Sequence, residues 1–234
     1  MPVKQEKRSQ MDYSQMFKDE KFSNLPHFTS DEVLLRNKPR CCWVIIFGLV
    51  RNLSPLVREY KGKPEVKTIL EYAGEDISHW FDKSTGDIKY HIHPETGVRV
   101  PFTPFGKIPH VDTYLPSYKW KGLQTVPWWK DEQYIIGKVT QKQIPIRILN
   151  VLTNQYTYLN VCCEDTLKRI EERYSKFNSN TEQYVWKYSG AVLDMDKTLE
   201  ENGISDHLDI FDACFIPQDY YVPCIYVYFK DEIY

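Results

Sequence analysis

The sequence lacks a strong net charge and any hydrophobic run long enough to cross a membrane. Its 234 residues carry a net charge of −2 at pH 7, with a pI near 6.3. No global positive field therefore favours nucleic acid or a membrane surface as a partner. The longest apolar run, from Cys41 to Val50, is about ten residues, whereas a membrane-spanning helix needs roughly 20. We expect a soluble protein that binds neither nucleic acid nor membrane.

The sequence also lacks the cysteine spacings that mark zinc or redox sites. Its six cysteines include two adjacent pairs, Cys41-Cys42 and Cys162-Cys163, and no C-x-x-C. Adjacent cysteines rarely bridge each other, so we expect reduced and mostly buried thiols in a protein of the cytoplasm.

Short motifs of common enzymes are absent as well. The chain contains no G-x-G-x-x-G, no P-loop and no G-x-S-x-G, and its cysteines lack the sequence context of an activated nucleophile. These absences favour a non-enzymatic protein.

Apolar sequence is plentiful, at 42% hydrophobic residues, which is enough to build one large core or two small ones. Residues 1–24 are polar with no sustained period and predict a flexible arm. The capping box Thr29-Ser-Asp-Glu32 predicts a short helix, and Cys42–Phe47 predicts a buried strand. Leu53–Val57 then predicts a second short helix, with Ser54 as its cap.

The next segment, residues 101–142, is rich in proline and aromatic residues. Aromatic residues make up 15% of the chain, and many cluster in Tyr114–Trp120 and Val126–Trp129. We interpret this segment as a linker whose rings cover its own domains. The alternative is a strip that binds a partner.

Residues 143–234 form the last predicted domain, of the β-β-α-β type with a late strand. Ile144–Leu152 and Thr157–Val161 predict a hairpin, and Cys163–Tyr174 predicts an amphipathic helix after it. The remaining predicted strands are Val185–Tyr188 and Ile225–Phe229.

This last domain resembles ubiquitin, most closely over Trp186–Ile204. Along that stretch a strand and a turn at Gly190 are followed by Leu193, then by Leu199, a polar pair and Ile204. The resemblance implies a β-grasp fold. Because the sequence ends without the paired glycines that a conjugated modifier needs, we expect a fold that is used for binding.

The domain before the linker, residues 25–100, is similar to cytochrome b5, so the whole chain is expected to be α+β. Phe28–Val33, Val50–Leu56 and Ala73–Asp76 fall in that family's order. The similarity implies haem held between two helix pairs, with one axial ligand from each pair. At the place of the family's His-Pro-Gly-Gly motif stands Tyr60-Lys-Gly-Lys63.

The similarity therefore implies Tyr60 as one axial ligand of haem iron and His91 as the other. Tyrosine binds iron as its phenolate, which favours Fe(III) and suits a sensor better than a fast electron carrier. His93 and His79 stay open as alternatives for the second ligand, and His91 with His93 is a further candidate pair for another metal. In the competing interpretation, Tyr60 is an ordinary surface tyrosine beside a pocket that apolar side chains have closed.

The whole arrangement resembles the cytochrome b5 domain-containing proteins of cilia, most specifically in the strings Ala73–Asp82 and Asp194–Ile204. This resemblance implies a non-enzymatic component of the ciliary axoneme, a cytoskeletal structure. The implied partners are radial-spoke and other axonemal or microtubule-associated proteins, and the implied activity is haem binding with redox control of beating. Two alternatives stay open: a purely structural adaptor that has lost haem, and an electron-transfer haemoprotein.

Overall fold

The computed structural model describes residues 20–111 and 126–230 of the chain. By its internal contacts the chain divides into two compact units, residues 1–139 and residues 140–234. Within the described residues, no helix is both long enough and apolar enough to cross a membrane.

Most of the predicted N-terminal arm, residues 1–19, lies outside the described part. The remainder of the arm contains a short helix, Glu20–Ser23 (α1). Phe22 is buried and packs against Leu49, so an apolar contact fixes this end of the predicted arm to the first unit.

The first unit is built on a sheet of five strands. The strands of this unit are His27–Phe28 (β1), Asn37–Lys38 (β2), Cys41–Ile46 (β3), Leu49–Asn52 (β4), Tyr90–Ile92 (β5), Arg99–Pro101 (β6) and Ile135–Val139 (β7). The sheet order is β1-β7-β4-β3-β2, while β5 and β6 form a separate hairpin. The predicted buried strand is confirmed in β3, and the turn into β4 uses positive φ angles at Phe47 and Gly48.

Three helices lie between the strands of this unit: Ser30–Leu34 (α2), Ser54–Glu59 (α3) and Pro64–Glu71 (α4). The predicted capping box is confirmed, because the Thr29 hydroxyl accepts from the Glu32 backbone N–H and the Glu32 carboxylate accepts from that of Thr29. The prediction of Ser54 as a cap is wrong. Leu53 is the cap residue of α3, since the Ser54 hydroxyl instead accepts a hydrogen bond from the Cys42 backbone N–H at 3.0 Å.

The segment predicted as a linker, residues 101–142, contributes to the first unit in its described residues up to Val139, while its predicted ring cluster Tyr114–Trp120 lies outside the described residues. Trp128 and Ile108 are completely buried in that unit's core, and Trp129 is nearly so. Strand β7 pairs with β4 on one side and with β1 on the other. The boundary between the units therefore falls between Val139 and Thr140, after this segment has supplied core rings and a strand.

The second unit contains a mixed sheet of five strands. The strands are Gln143–Asn150 (β8), Gln155–Cys162 (β9), Tyr184–Tyr188 (β10), Ala191–Val192 (β11) and Cys224–Phe229 (β12). Their order is β11-β10-β12-β8-β9, with β12 parallel to β8 and the other pairs antiparallel. The predicted hairpin is confirmed by the pairing of β8 with β9.

The core of the second unit is mainly aliphatic, and the helix Leu167–Tyr174 (α5) covers one face of the sheet. This helix was predicted to begin at Cys163. It begins later because the Thr166 hydroxyl caps it, and the Asp165 carboxylate turns back to accept from the Cys162 N–H. A further short helix, Leu208–Ala213 (α6), precedes β12.

Candidate functional site

Tyr60 ends helix α3 and is partly buried against the core of the first unit. The ammonium group of Lys63 lies 4.4 Å from the centre of the Tyr60 ring. The imidazole of His110 meets the same ring edge to face, with the ring centres 5.9 Å apart. Tyr60 therefore sits between a cation and a histidine, and that histidine is not the predicted His91.

Burial raises the pKa of the Tyr60 phenol above its ordinary value of 10.0, and the carboxylates of Glu59 and Glu65 raise it further. The nearby ammonium of Lys63 does not reverse this direction. These surroundings therefore favour the protonated phenol over the phenolate form in which tyrosine binds iron.

His110 was not among the residues predicted to form a site. It adopts a left-handed backbone conformation with φ of 64°, and its Nδ1 atom accepts a hydrogen bond from the Trp128 backbone N–H at 3.1 Å. Burial lowers the pKa of His110 below its ordinary value of 6.5, which favours the neutral ring. With Nδ1 accepting, the neutral ring carries its proton on Nε2, so neither nitrogen offers a free lone pair to a metal.

His91 lies on β5, opposite Val100 of β6. Its ring meets that of Phe102 at a centre-to-centre distance of 5.3 Å, and its buried Nδ1 atom has no hydrogen-bond partner within residues 20–111 and 126–230. A cavity of about 500 Å³ opens beside it, lined also by Asp82, Asp87, Ile88, Lys89, Arg99 and Phe102. Tyr60 is not among the residues that line this cavity.

The two alternative histidines have other surroundings. The Nδ1 atom of His93 accepts from the Glu95 backbone N–H at 3.3 Å, an arrangement that closes the turn after β5. His79 lies in the short helical turn Ser78–Trp80, and its ring meets those of Tyr72 and Trp80. Within residues 20–111 and 126–230, no group of three or more His, Cys, Asp or Glu side chains gathers as metal ligands.

The interior that links α3, α4 and the Ser78–Trp80 turn is filled with aromatic side chains. Trp80 stacks on Phe105 with ring centres 3.9 Å apart and planes inclined by 8°. Trp128 joins the same core with no exposed surface, and its indole N–H donates to the Pro109 carbonyl. Tyr60 packs against this core and meets His110, whereas His91 on β5 meets Phe102. The side chains as placed therefore do not fit a haem held between these two ligands.

The cysteines offer no nucleophile at this site. All six are free thiols. Burial raises the pKa of Cys42 to about 12, so its thiol stays protonated at neutral pH.

Four known proteins that are similar to this chain share one name. No protein-family model matches the chain. A Xenopus tropicalis protein named cytochrome b5 domain-containing protein 1 is 44% identical over 191 residues, which cover 82% of this chain and 88% of that protein. The Homo sapiens protein of the same name is 42% identical over 207 residues, which cover 88% of this chain and 91% of that protein.

Among solved structures, the ubiquitin-like domain of an Arabidopsis thaliana protein matches 38% of this chain and 79% of its own. The sequence identity is 16% and the TM-score is 0.29. A score at this level carries no argument about the fold.

Proposed function

Because this chain belongs to the cytochrome b5 domain-containing protein 1 family, we propose that it is a non-enzymatic docking subunit of the ciliary axoneme. In this proposal, the first unit is a cytochrome b5-like fold that works without haem. Radial-spoke or other microtubule-associated proteins are the proposed partners. The family membership supports the b5-like fold, and the resemblance of the sequence to ciliary proteins supports the location.

One observation carries the haem-free part of the proposal. The region between the helices of the first unit, where a b5-like fold would hold haem, contains the Trp80–Phe105 stack and the buried Trp128. Tyr60, which stands where the resemblance implies an axial ligand, contacts His110. A protein interior packed in this way is as dense as an organic crystal, so a large planar cofactor would have to displace these rings.

For the second unit we propose a ubiquitin-like β-grasp fold that is used for binding. Its strand order supports this proposal: a hairpin, a covering helix, two antiparallel strands, and a last strand inserted parallel to the first. The exposed tyrosines on the outer side of this sheet supply the type of side chain that dominates protein interfaces.

Retention on axonemes tests the docking role. The full chain would be expressed in ciliated cells that lack the endogenous protein, as the wild type and as the double variant Tyr60→Phe, His91→Ala. We expect both to stay with detergent-extracted axonemes to the same extent, because docking does not depend on iron. Release of a folded double variant would contradict the haem-free proposal, and release of the wild type would contradict the axonemal role.

A second candidate function is haem-linked redox control of ciliary beating. The observation that favours it is the Nδ1 atom of His91, which has no hydrogen-bond partner in the described part of the chain and lies beside a cavity lined in part by the cations Lys89 and Arg99. Titration of the purified full chain with hemin separates the two candidates. A stoichiometric Soret band that His91→Ala abolishes would favour the second candidate, and absorbance equal to free hemin would favour the first.

A further inference from the structure

The outer face of the second unit's sheet, on the side away from α5, has an unusual composition. Six outward side chains define what we call the tyrosine face: Arg147, Tyr156, Tyr158, Lys187, Tyr226 and Tyr228. Strand pairing places them side by side, since Arg147 lies opposite both Tyr158 and Cys224, and Lys187 lies opposite Tyr226.

These rings are exposed to an extent that packing does not require. Tyr158 is 66% exposed, Tyr156 is 51% exposed and Tyr226 is 37% exposed. Tyrosine and arginine are the residues most enriched at the centres of protein interfaces, because each offers a large contact area with a polar end. The composition of this face is therefore typical of a docking surface.

Charge indicates which kind of partner the face fits. Residues 140–234 contain 15 Asp and Glu against 9 Lys and Arg, so the second unit is acidic as a whole. Its five strands contain no acidic residue, and their charged residues are Arg147 and Lys187. A cationic, aromatic face on an otherwise acidic unit favours an acidic partner over a basic one.

The surroundings of the Arg147 guanidinium suit the binding of an anion. Its guanidinium lies 5.0 Å from the centre of the Tyr156 ring, and strand pairing places Arg147 next to Cys224 and Tyr158. Its Nε atom is buried and has no hydrogen-bond partner among the described residues. The planar fork of arginine matches a carboxylate with two parallel hydrogen bonds, and Arg147 lines a cavity from which a carboxylate can approach it.

A cavity of about 600 Å³ adjoins Arg147 at one end of the face. Its lining includes Tyr158, Tyr188 and Tyr226, and the Tyr188 hydroxyl lies 2.9 Å from that of Tyr221. The carboxylate of Asp219 also lies at this cavity. This negative charge would repel an acidic occupant. Its removal should therefore strengthen binding, whereas removal of the Arg147 charge should weaken it.

We propose that the tyrosine face and this cavity bind an extended acidic segment of a partner protein. One carboxylate of that segment binds the Arg147 guanidinium, a second approaches Lys187, and the tyrosine rings pack against the stems of the acidic side chains. This inference rests on the docking role proposed above and adds the chemistry of the partner to it.

The test uses the purified full chain and a fluorescein-labelled polyglutamate peptide of about ten residues, which is long enough when extended to cross the five strands. Fluorescence anisotropy at low salt measures its dissociation constant. We expect saturable binding that weakens with added salt, and about tenfold weaker binding by Arg147→Gln, because a charge-assisted bidentate contact is lost. Asp219→Asn is expected to bind several-fold more tightly.

The matched control is Lys168→Gln, which removes one positive charge from the exposed side of α5, on the opposite face of the sheet. It should bind the peptide like the wild type. Far-ultraviolet circular dichroism and thermal unfolding check that each variant is folded. Equal loss of binding in Lys168→Gln and Arg147→Gln, equal binding of polylysine, or no saturable binding would overturn the proposal.

The peptide-binding experiment and the axoneme-retention experiment can fail independently of each other. If polyglutamate fails to bind while the wild-type chain stays on axonemes, the acidic partner is wrong and the docking role stands. If the peptide binds in the expected way while the chain leaves the axoneme, the tyrosine face is correct and the axonemal role is wrong.

Discussion

The two units place their aromatic side chains in opposite ways. In the first unit, Trp80, Trp128 and Trp129 are buried in one core, and Phe105 stacks against it. In the second unit the core is mostly Ile, Leu and Val, while tyrosines stand on the outer face of the sheet.

The difference separates what rings do inside a protein from what they do on its surface. Buried rings fill volume, as they do in the core of the first unit. Exposed rings beside an arginine have no such packing role, so they are available to a partner. Substitutions of the buried rings in the first unit should therefore lower stability, and substitutions of the exposed tyrosines in the second unit should weaken binding.

The largest expected effect comes from Trp128→Ala in the first unit. Removing a fully buried indole leaves a cavity, and we expect a loss of about 4 kcal/mol in the free energy of unfolding. Urea unfolding, read by hydrogen exchange of peptides from each unit, measures the change. Tyr158→Ala on the tyrosine face is the control and should change stability by less than about 0.5 kcal/mol. Similar losses in both variants would break the comparison.

The next effect concerns a buried charge in the second unit. Arg173 donates to Asp165 at 2.8 Å, and both side chains are almost fully buried. Asp165→Asn removes the carboxylate that accepts from the buried guanidinium, and we expect a loss of about 3 kcal/mol by urea unfolding. Lys197→Gln breaks the exposed pair with Asp194 in the same unit and should cost less than about 0.5 kcal/mol. A stable Asp165→Asn variant would show that this core does not depend on the buried pair of Asp165 and Arg173.

A smaller effect is expected at Gly137 in β7. A Cβ atom at this position would lie 2.4 Å from the Phe28 ring and 2.5 Å from the Pro26 carbonyl oxygen. Gly137→Ala should therefore separate β1 from β7 and cost about 2 kcal/mol in urea unfolding. At Gly62 an added Cβ meets nothing within 4 Å, so Gly62→Ala carries only the strain of its positive φ, about 1 kcal/mol. Equal costs would mean that β1 is not packed as described.

The smallest effect is a pH dependence confined to the first unit. Because burial lowers the pKa of His110 below 6.5, the unfolded chain binds a proton more readily than the folded one. Stability should fall as the pH drops below about 6.5 and level off below the pKa of the folded state. Urea midpoints for the wild type and His110→Gln, compared between about pH 7.5 and pH 5, measure this contribution. The same slope in both proteins would exclude His110 as its source.

Local signals in the sequence predicted much of the fold. The capping box at Thr29 and the hairpin formed by Ile144–Leu152 and Thr157–Val161 depend on neighbouring residues, and both are confirmed. Ser54 has the residue type and position of a helix cap. The competing bond to Cys42, twelve positions away in the sequence, decided its role instead.

Long-range contacts account for what the sequence did not predict. Nothing near His110 in the sequence signals its bond to Trp128 or its contact with Tyr60, since these meet only when the chain has folded. Trp128 lies in a proline-rich stretch, which is typical of a linker. Its ring is nevertheless fully buried, so Trp128 belongs to the core of the first unit. The pairing of Tyr60 with His91 rested on the order of motifs, and no spacing along the chain fixes which histidine faces the tyrosine.

Strand pairing in the first unit also has a consequence during synthesis on the ribosome. His27 of β1 pairs with Lys138 of β7, and β7 lies between β1 and β4 in the sheet. A nascent chain that has emerged only as far as the β5–β6 hairpin therefore cannot seat β1 in its final position. Because such distant pairings form slowly, the apolar cluster of Val33, Ile45 and Val50 lacks its contacts with Ile136 and Val139 until translation has passed Val139. Chaperones would have most access to this protein during that interval.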